Sequence, residues 1–472
     1  MSEKLAKRQK NIDMTQGNPT KQLVLFAIPM WIGGVFQLLY NMVDTIVVGR
    51  YVSMDALAAI GATASTTFFL MSMGNAVTNS VSIIISQAEG AKQEAGMKKS
   101  IAHAAYLTVA AGVILGLFSI FGARPLMALM QTPPEIIDNS VLYIQIVGGL
   151  TIGQTVYNAA TSVLRAIGDS RTPLYFLIFS SLLNVVLDLT FVLGLNAGVA
   201  GVAWATVISQ MVSALLCTMY MLNKYPKLRP DREAWKFDIA IIKGYLRIGL
   251  PMCVQSAVLC VGDMIITSVI NTHGANIVAA YTVGNRVQQL ATITFSNLAF
   301  SFSVYSGQNF GAKLYDRIKD GLKKGLRLII GLALISSVVA IVFAQPLALI
   351  FMDKNSADFN PNVLEAAISM IRIQASLFFA LGSIWAVNST LRGIGLVKVS
   401  LASSIVELSS KIGFSILLPM VLGYIGIWMA APIGWVLGLI PSTIYLFRWF
   451  KNPESFVKKK SDAPAEAAEP AE

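Results

Sequence analysis

Residues 37–49 read QLLYNMVDTIVVG. Leu38, Leu39, Val43, Ile46, Val47 and Val48 give this stretch the character of a membrane-spanning helix, and Asp44 sits inside it. A carboxylate at the centre of such a helix costs about 2.5–3.5 kcal/mol even on the lenient insertion scale, so an acid retained there is a functional candidate by default. The chain as a whole fixes the medium. Its 472 residues are 55% hydrophobic and 13% charged, with a mean hydropathy of +0.64, which leaves too little polar surface to cover a soluble globule of this length. It belongs in a bilayer.

A spanning helix needs about 20 predominantly apolar residues. Such runs lie near 23–48, 57–85, 101–122, 136–158, 173–195, 199–222, 245–270, 278–305, 326–344, 366–388, 398–420 and 425–448. The expected fold class is therefore all-α integral membrane, with twelve spans. Residues 1–22 are polar and basic and carry no signal-peptide pattern, so a cytoplasmic N-terminal segment is expected. Lys and Arg crowd into the segments on one side of these spans. Only Arg50, Arg124 and Lys354 fall in the opposite loops, and Arg286, Arg372 and Lys411 lie within spans away from the ends of the runs. The positive-inside rule then places both termini in the cytoplasm. The net charge of +11 faces anionic headgroups, so membrane lipids are the expected partners and nucleic acid is not. Residues 451–472 end in SDAPAEAAEPAE and are expected to be a disordered tail. Cys217, Cys253 and Cys260 fall inside spans as small apolar side chains.

The two halves echo each other. Ala27-Ile28-Pro29-Met30 returns as Gly249-Leu250-Pro251-Met252, and Val43-Asp44-Thr45-Ile46 as Gly262-Asp263-Met264-Ile265. Gln87-Ala88-Glu89-Gly90-Ala91-Lys92 returns as Gln308-Asn309-Phe310-Gly311-Ala312-Lys313, and Ser162-Val163-Leu164-Arg165-Ala166-Ile167-Gly168 as Ser389-Thr390-Leu391-Arg392-Gly393-Ile394-Gly395. Each half holds six spans, an even number, so both halves enter from the same side. They are parallel repeats about an axis along the membrane normal, an arrangement of transporters that move two bundles around a central site. The expected units are an N-lobe at 23–222, a cytoplasmic linker at 223–244 and a C-lobe at 245–450.

Longer motifs carry a family resemblance. DMTQGNPTKQLVLFAIPM (13–30), QLLYNMVDTIVVGRYV (37–52), ALAAIGA (56–62), LRAIGDSRTP (164–173), N-x-x-x-D (184–188), AGVAGVAWATVISQ (197–210) and AAYTVGNRVQQ (279–289) resemble the multidrug and toxic compound extrusion (MATE) transporters. The resemblance runs in order over roughly residues 13–448. It implies two pseudo-symmetric six-helix lobes around a central cleft, and export of organic compounds in exchange for H+ or Na+.

Away from the ends of the runs, four acids lie within spans: Asp44, Asp188, Asp263 and Glu407. Asp44, Asp188 and Asp263 sit about 5–7 residues from the outer helix ends, roughly 8–11 Å deep at 1.5 Å per residue. Tyr40 precedes Asp44 by four residues and Asn184 precedes Asp188 by four, so each pair shares a helix face. Two carboxylates facing one pocket resist double ionisation, so together they hold a proton. With an amide oxygen and a hydroxyl nearby they also offer the oxygen ligands that a small hard cation prefers. No Lys or Arg falls within the N-lobe runs to neutralise them. The resemblance adds that Asp44, Asn184, Asp188 and Thr206 match an N-lobe cation site, a candidate Na+ site, and that Tyr40 and Asn158 fall where the family lines that pocket with polar groups.

The C-lobe reads differently. Asp263 and Arg286 sit at similar depth on consecutive helices and are expected to form an ion pair. Glu407 and Lys411, spaced i, i+4, are expected to neutralise each other. These four are further candidates for the cavity lining. One branch of the family also uses acids on the seventh and tenth spans; here the tenth has none after Glu365, so the coupling site is expected in the N-lobe. Pro29 and Pro251 occupy equivalent places and permit bends, and the resemblance makes them candidate hinges. Phe68, Phe69, Met71, Met73, Phe295, Phe300 and Phe302 are candidates for a soft, adaptable cavity wall.

Enzyme chemistry is not expected. His103 and His273 are isolated, and H-E-x-x-H, G-x-S-x-G and the phosphate-cradling loop are missing. A channel would carry pore-lining rings and usually subunit symmetry rather than two fused lobes. The expected function is a monomeric antiporter of the cytoplasmic membrane that exports amphipathic, often cationic, organic compounds, with no cofactor beyond the coupling ion. The alternative is a flippase for a lipid-linked precursor, which would need a strongly cationic cavity.

Overall fold

The computed structural model describes residues 11–354 and 359–453, and the described residues contain helices and no strand. Positions 1–10 and most of the 451–472 tail lie outside the described residues. The first half consists of α1 (Pro19–Tyr51), α2 (Met54–Gly90), α3 (Glu94–Leu129), α4 (Pro134–Gly149), α5 (Ile152–Ala166), α6 (Arg171–Leu189) and α7 (Gly198–Lys224). The second consists of α8 (Ile239–Asn271), α9 (Ala275–Gly311), α10 (Tyr315–Val342), α11 (Pro361–Ala375), α12 (Phe378–Gly393), α13 (Val397–Leu417) and α14 (Tyr424–Lys451). In each half the fourth expected span is broken: α4 and α5 meet at 42°, α11 and α12 at 50°. Every expected span is helical, but among the described residues nine helices, or eleven with each bent pair counted as one, are long and apolar enough to cross a membrane. The exception is α9, which carries Asn285, Arg286, Gln288, Gln289 and Asn297. Its apolar face is buried in the second-half core through Val283, Val287, Phe295 and Phe302, so it needs less lipid-facing surface.

The repeat extends to backbone detail. Asn18 caps α1 by accepting from the Thr20 and Lys21 amides, with Pro19 following, and Asp238 caps α8 by accepting from the Ala240 amide. After α2 and α9, Lys92 and Lys313 take matching left-handed conformations, with φ of 54° and 58°. After α5 and α12, Gly168 and Gly395 do the same, with φ of 87° and 83°, and there glycine avoids the steric penalty.

Each lobe lends the start of its first helix to the other. Leu23, Phe26 and Ala27 of α1 are buried in the C-lobe core beside Phe302 and Leu322. Ile248 and Met252 of α8 cluster with Ala76 and Ile83 of α2, and Tyr245 donates to the Ser100 carbonyl of α3. Beyond Pro29, α1 rejoins its own lobe through Val47 and Val48; beyond Pro251, α8 rejoins its own through Ile266 and Ile270. The prolines stand where each helix changes lobes.

The face that carries the 225–238 connection is closed by cross-lobe contacts. A Cβ on Gly90 would lie 1.8 Å from the Gln308 carbonyl oxygen, and one on Gly311 would lie 1.9 Å from that of Gln87, so α2 and α9 cross there with their backbones in contact. Gln87 Nε2 donates to the Gly393 carbonyl at 2.7 Å, and Gln308 Nε2 donates to the Ala166 carbonyl at 2.7 Å. A strap of residues 11–18 ties the same face. The Ile12 amide donates to Gly168 O, the Met14 amide to Gln308 Oε1, and Arg317 to the Met14 and Gln16 carbonyls.

Candidate functional site

The cluster that begins at Asp44 is assembled from four helices. Val47 and Val48 of α1, Tyr143 and Val147 of α4, and Val199 and Val202 of α7 pack together with Val192, just beyond α6. This apolar cluster holds the polar groups beside it. The Asp44 and Asp188 carboxyl groups are within hydrogen-bonding reach of each other. Asp188 is fully buried, and Asn184 and Thr206 are nearly so. With its amide oriented so that nitrogen meets carboxylate, Asn184 donates to Asp188 Oδ2 at 3.0 Å and accepts from the Thr206 backbone amide at 3.1 Å. The Thr206 hydroxyl donates to the Val202 carbonyl at 3.1 Å. The Tyr40 hydroxyl stands beside Thr206, with both carboxylates nearby. No ion pair among the described residues involves Asp44 or Asp188. Each has one buried oxygen, Oδ1, without a partner.

Two features of this cluster escape the sequence reading. Tyr143 of α4 stands beside both carboxylates, a contact between segments with no spacing rule to reveal it. Immediately after Asp188, residues Thr190–Gly194 form a π-turn, with the Leu195 amide donating to the Thr190 carbonyl at 3.2 Å. Such turns are rare and concentrate at functional positions. Nothing in TFVLG announces one.

Asn158 lies apart from the acid pair. It donates to Asn75 Oδ1 at 3.0 Å and lines a cleft of about 240 Å³ with Pro29, Gln37 and Asn297. That cleft also holds Arg165, which corrects the expectation that no Lys or Arg falls within the N-lobe spans. The fourth span continues past residue 158 as α5, which runs to Ala166 and carries Arg165 inward.

The C-lobe charges pair differently from expectation. Asp263 pairs with Lys411 at 3.4 Å, and Arg286 is exposed without an ion-pair partner among the described residues. The cause is helix packing. A Cβ on Gly262 would lie 2.1 Å from Leu408 Cδ1, so α13 seats against α8 at Gly262 and brings Lys411 to the neighbouring Asp263. The i, i+4 pairing of Glu407 with Lys411 loses to this cross-helix contact. Glu407 instead packs against α14, where a Cβ on Gly438 would lie 2.7 Å from its own Cβ. Of the expected soft wall, Phe295 and Phe302 are fully buried core, whereas Phe68 is exposed.

The family profile MatE matches residues 29–190 and 251–425, more than half of the chain and both lobes. The chain belongs to the MATE family. It is a multi-pass membrane transporter and not an enzyme. This MATE chain is 28% identical over 448 residues to "Probable multidrug resistance protein YoeA" of Bacillus subtilis, covering 92% of this chain and 94% of that one. It is 30% identical over 306 residues to "Probable multidrug resistance protein YpnP" of the same organism, covering 64% and 67%. Among solved structures, a MOP superfamily transporter from Pyrococcus furiosus superposes with a TM-score of 0.86 at 23% identity over 95% of this chain and 99% of that one. That likeness is one of fold.

Proposed function

We propose that this MATE transporter is an antiporter that exports amphipathic, often cationic, organic compounds in exchange for an inorganic cation, with the Asp44–Asp188 pair as the coupling site. The observation that carries the reading is the contact between the two carboxyl groups. Two carboxylates at hydrogen-bonding distance cannot both be ionised at low cost, and a proton between them satisfies both. No lysine or arginine among the described residues pairs with either acid. Asn184 and Thr206 orient Asp188, and Tyr40 and Tyr143 close the pocket. H+ is favoured over Na+ as the coupling ion. The Asn184 amide presents its nitrogen, not its oxygen, to Asp188, so a Na+ held by the two carboxylates would meet a donor there until the amide turned over.

Protonation and cargo binding bias the equilibrium between two lobe arrangements only through their differential affinity for them. Pro29 and Pro251 are the proposed hinges, because each stands where a first helix passes from one lobe to the other. The basic segments on the face closed by Gln87, Gln308 and the 11–18 strap support a cytoplasmic assignment of that face, with both termini on the same side of a cytoplasmic membrane. The chain acts as a monomer, since it contains both lobes. The multidrug-resistance names of relatives over most of the chain support organic cargo. The acid pair argues against a flippase for an anionic lipid precursor. Transport by the purified chain in proteoliposomes, under a pH gradient and a Na+ gradient imposed separately, tests the proposal. Export of ethidium driven by the pH gradient is expected, and its loss in Asp44→Asn with folding retained. Unimpaired export by that variant would overturn the assignment.

A further inference from the structure

Another ion of the N-lobe, half-buried, is left without an opposite charge. Arg165, near the end of α5, lines the cleft of about 240 Å³ enclosed by α1, α5, α6 and α9. Its Nε is buried and makes no hydrogen bond, and no ion pair among the described residues includes it. The guanidinium lies over the Phe300 ring of α9, 5.7 Å from its centroid. That contact offers a π-face but satisfies none of its N–H groups. The Tyr157 hydroxyl and the Cys217 thiol are titratable groups close enough to interact with it. Among the described residues no Asp or Glu lines the cleft. Asp169, four residues on, is engaged elsewhere: it pairs with Lys224 at 3.7 Å and accepts from the Tyr225 hydroxyl at 2.7 Å.

A second orphan stands in the wall of the same cleft. Ser170 is 2% exposed and lines the cleft, and its hydroxyl has no partner. It occupies the N-cap position of α6, yet its side chain does not cap the helix. Asp169 does so instead, accepting from the Arg171 and Thr172 amides. A guanidinium and a hydroxyl, both unsatisfied in one acid-free cleft, are the donor set of a carboxylate site. The repeat-related Arg392 contrasts with this, since its guanidinium donates to Ser389 Oγ at 2.9 Å.

We propose that Arg165 and Ser170 form an anion-binding subsite, so that the cargo class includes amphiphiles bearing a carboxylate, zwitterions among them. The cleft is too small for a whole drug-sized molecule; it takes the acidic end, such as a carboxyphenyl ring, while the remainder extends into the space between the lobes. The proposal deepens the export reading and rests on it. A free-acid rhodamine and its ethyl ester differ only at the group Arg165 and Ser170 would hold. The full-length protein in proteoliposomes is assayed with both dyes, as wild type, Arg165→Gln, Arg165→Lys and Ser170→Ala. The acid-to-ester transport ratio is expected to fall about tenfold in Arg165→Gln, the effect of one lost charge-assisted contact. It should fall by a smaller factor in Arg165→Lys, whose ammonium lacks the planar fork, and in Ser170→Ala. An unchanged ratio in Arg165→Gln and Ser170→Ala, even with lower rates for both dyes, overturns the subsite. Should the wild type move neither dye, the export reading fails by itself. The subsite is then decided by thermal stabilisation of the detergent-solubilised protein, which the acid should give over the ester in wild type and lose in Ser170→Ala; equal stabilisation by acid and ester overturns it.

Discussion

The two lobes share a scaffold and differ in what they do with charge. Each begins with a capped helix containing a proline, breaks its fourth span, and ends its second helix on a left-handed lysine. Yet Asp44 in the first lobe meets another acid, whereas Asp263 at the equivalent place meets Lys411. An acid facing an acid must manage a proton; an acid facing an ammonium is already neutralised. Matching scaffolds therefore give one lobe a titrating pair and the other a salt bridge.

The largest effect should come from destroying the acid pair. Asp188→Asn is expected to reduce gradient-driven dye efflux by more than about tenfold, a loss of about 1.4 kcal/mol in the bias between states. If Asp263→Asn lowers efflux as much, the contrast between the lobes is void. Closing contacts rank next. Gly90→Ala or Gly311→Ala places a methyl group within 2 Å of a facing backbone carbonyl, at 1.8 and 1.9 Å, with an expected cost of about 1–3 kcal/mol. Paired spin labels on the ends of α2 and α9 should report separation in both variants, because the repeat predicts equal effects. An asymmetric response would show that the lobes differ at the seam as well as in charge.

A smaller effect is expected from Asp263→Asn itself. The pair is partly exposed, with Asp263 at 64%, so its loss should cost no more than about 1 kcal/mol and leave efflux near wild type. The smallest belongs to Tyr225, outside the spans. Burial and the neighbouring Asp169 push its hydroxyl well above the ordinary tyrosine range, which keeps it protonated as a donor at neutral pH. Tyr225→Phe should lower thermal stability by about 1 kcal/mol with little effect on efflux, measured by melting and transport on the same preparation.

Much of the first lobe's site was legible in the chain. Asp44, Asn184 and Asp188 announce themselves because unpaired polarity in a spanning helix is costly, and their i, i+4 spacing fixes a shared face. The C-lobe pairs were misread because Asp263 and Lys411 are separated by 148 residues, and local spacing favoured nearer partners. Arg165 was missed for a simpler reason: it lies beyond the apolar run, and only the continuation of α5 carries it into the cleft.

Periodicity and composition by themselves determined the bilayer, the helical segments, the parallel repeat and the residues whose burial demands explanation, since each follows from chain-local hydrophobicity and from the cost of polar groups in lipid. Tertiary structure decided which charges meet, where each first helix passes from one lobe to the other, and which donors are left unsatisfied. Those outcomes depend on how helices seat against one another, as Leu408 does at Gly262, and such contacts join residues that no local pattern relates.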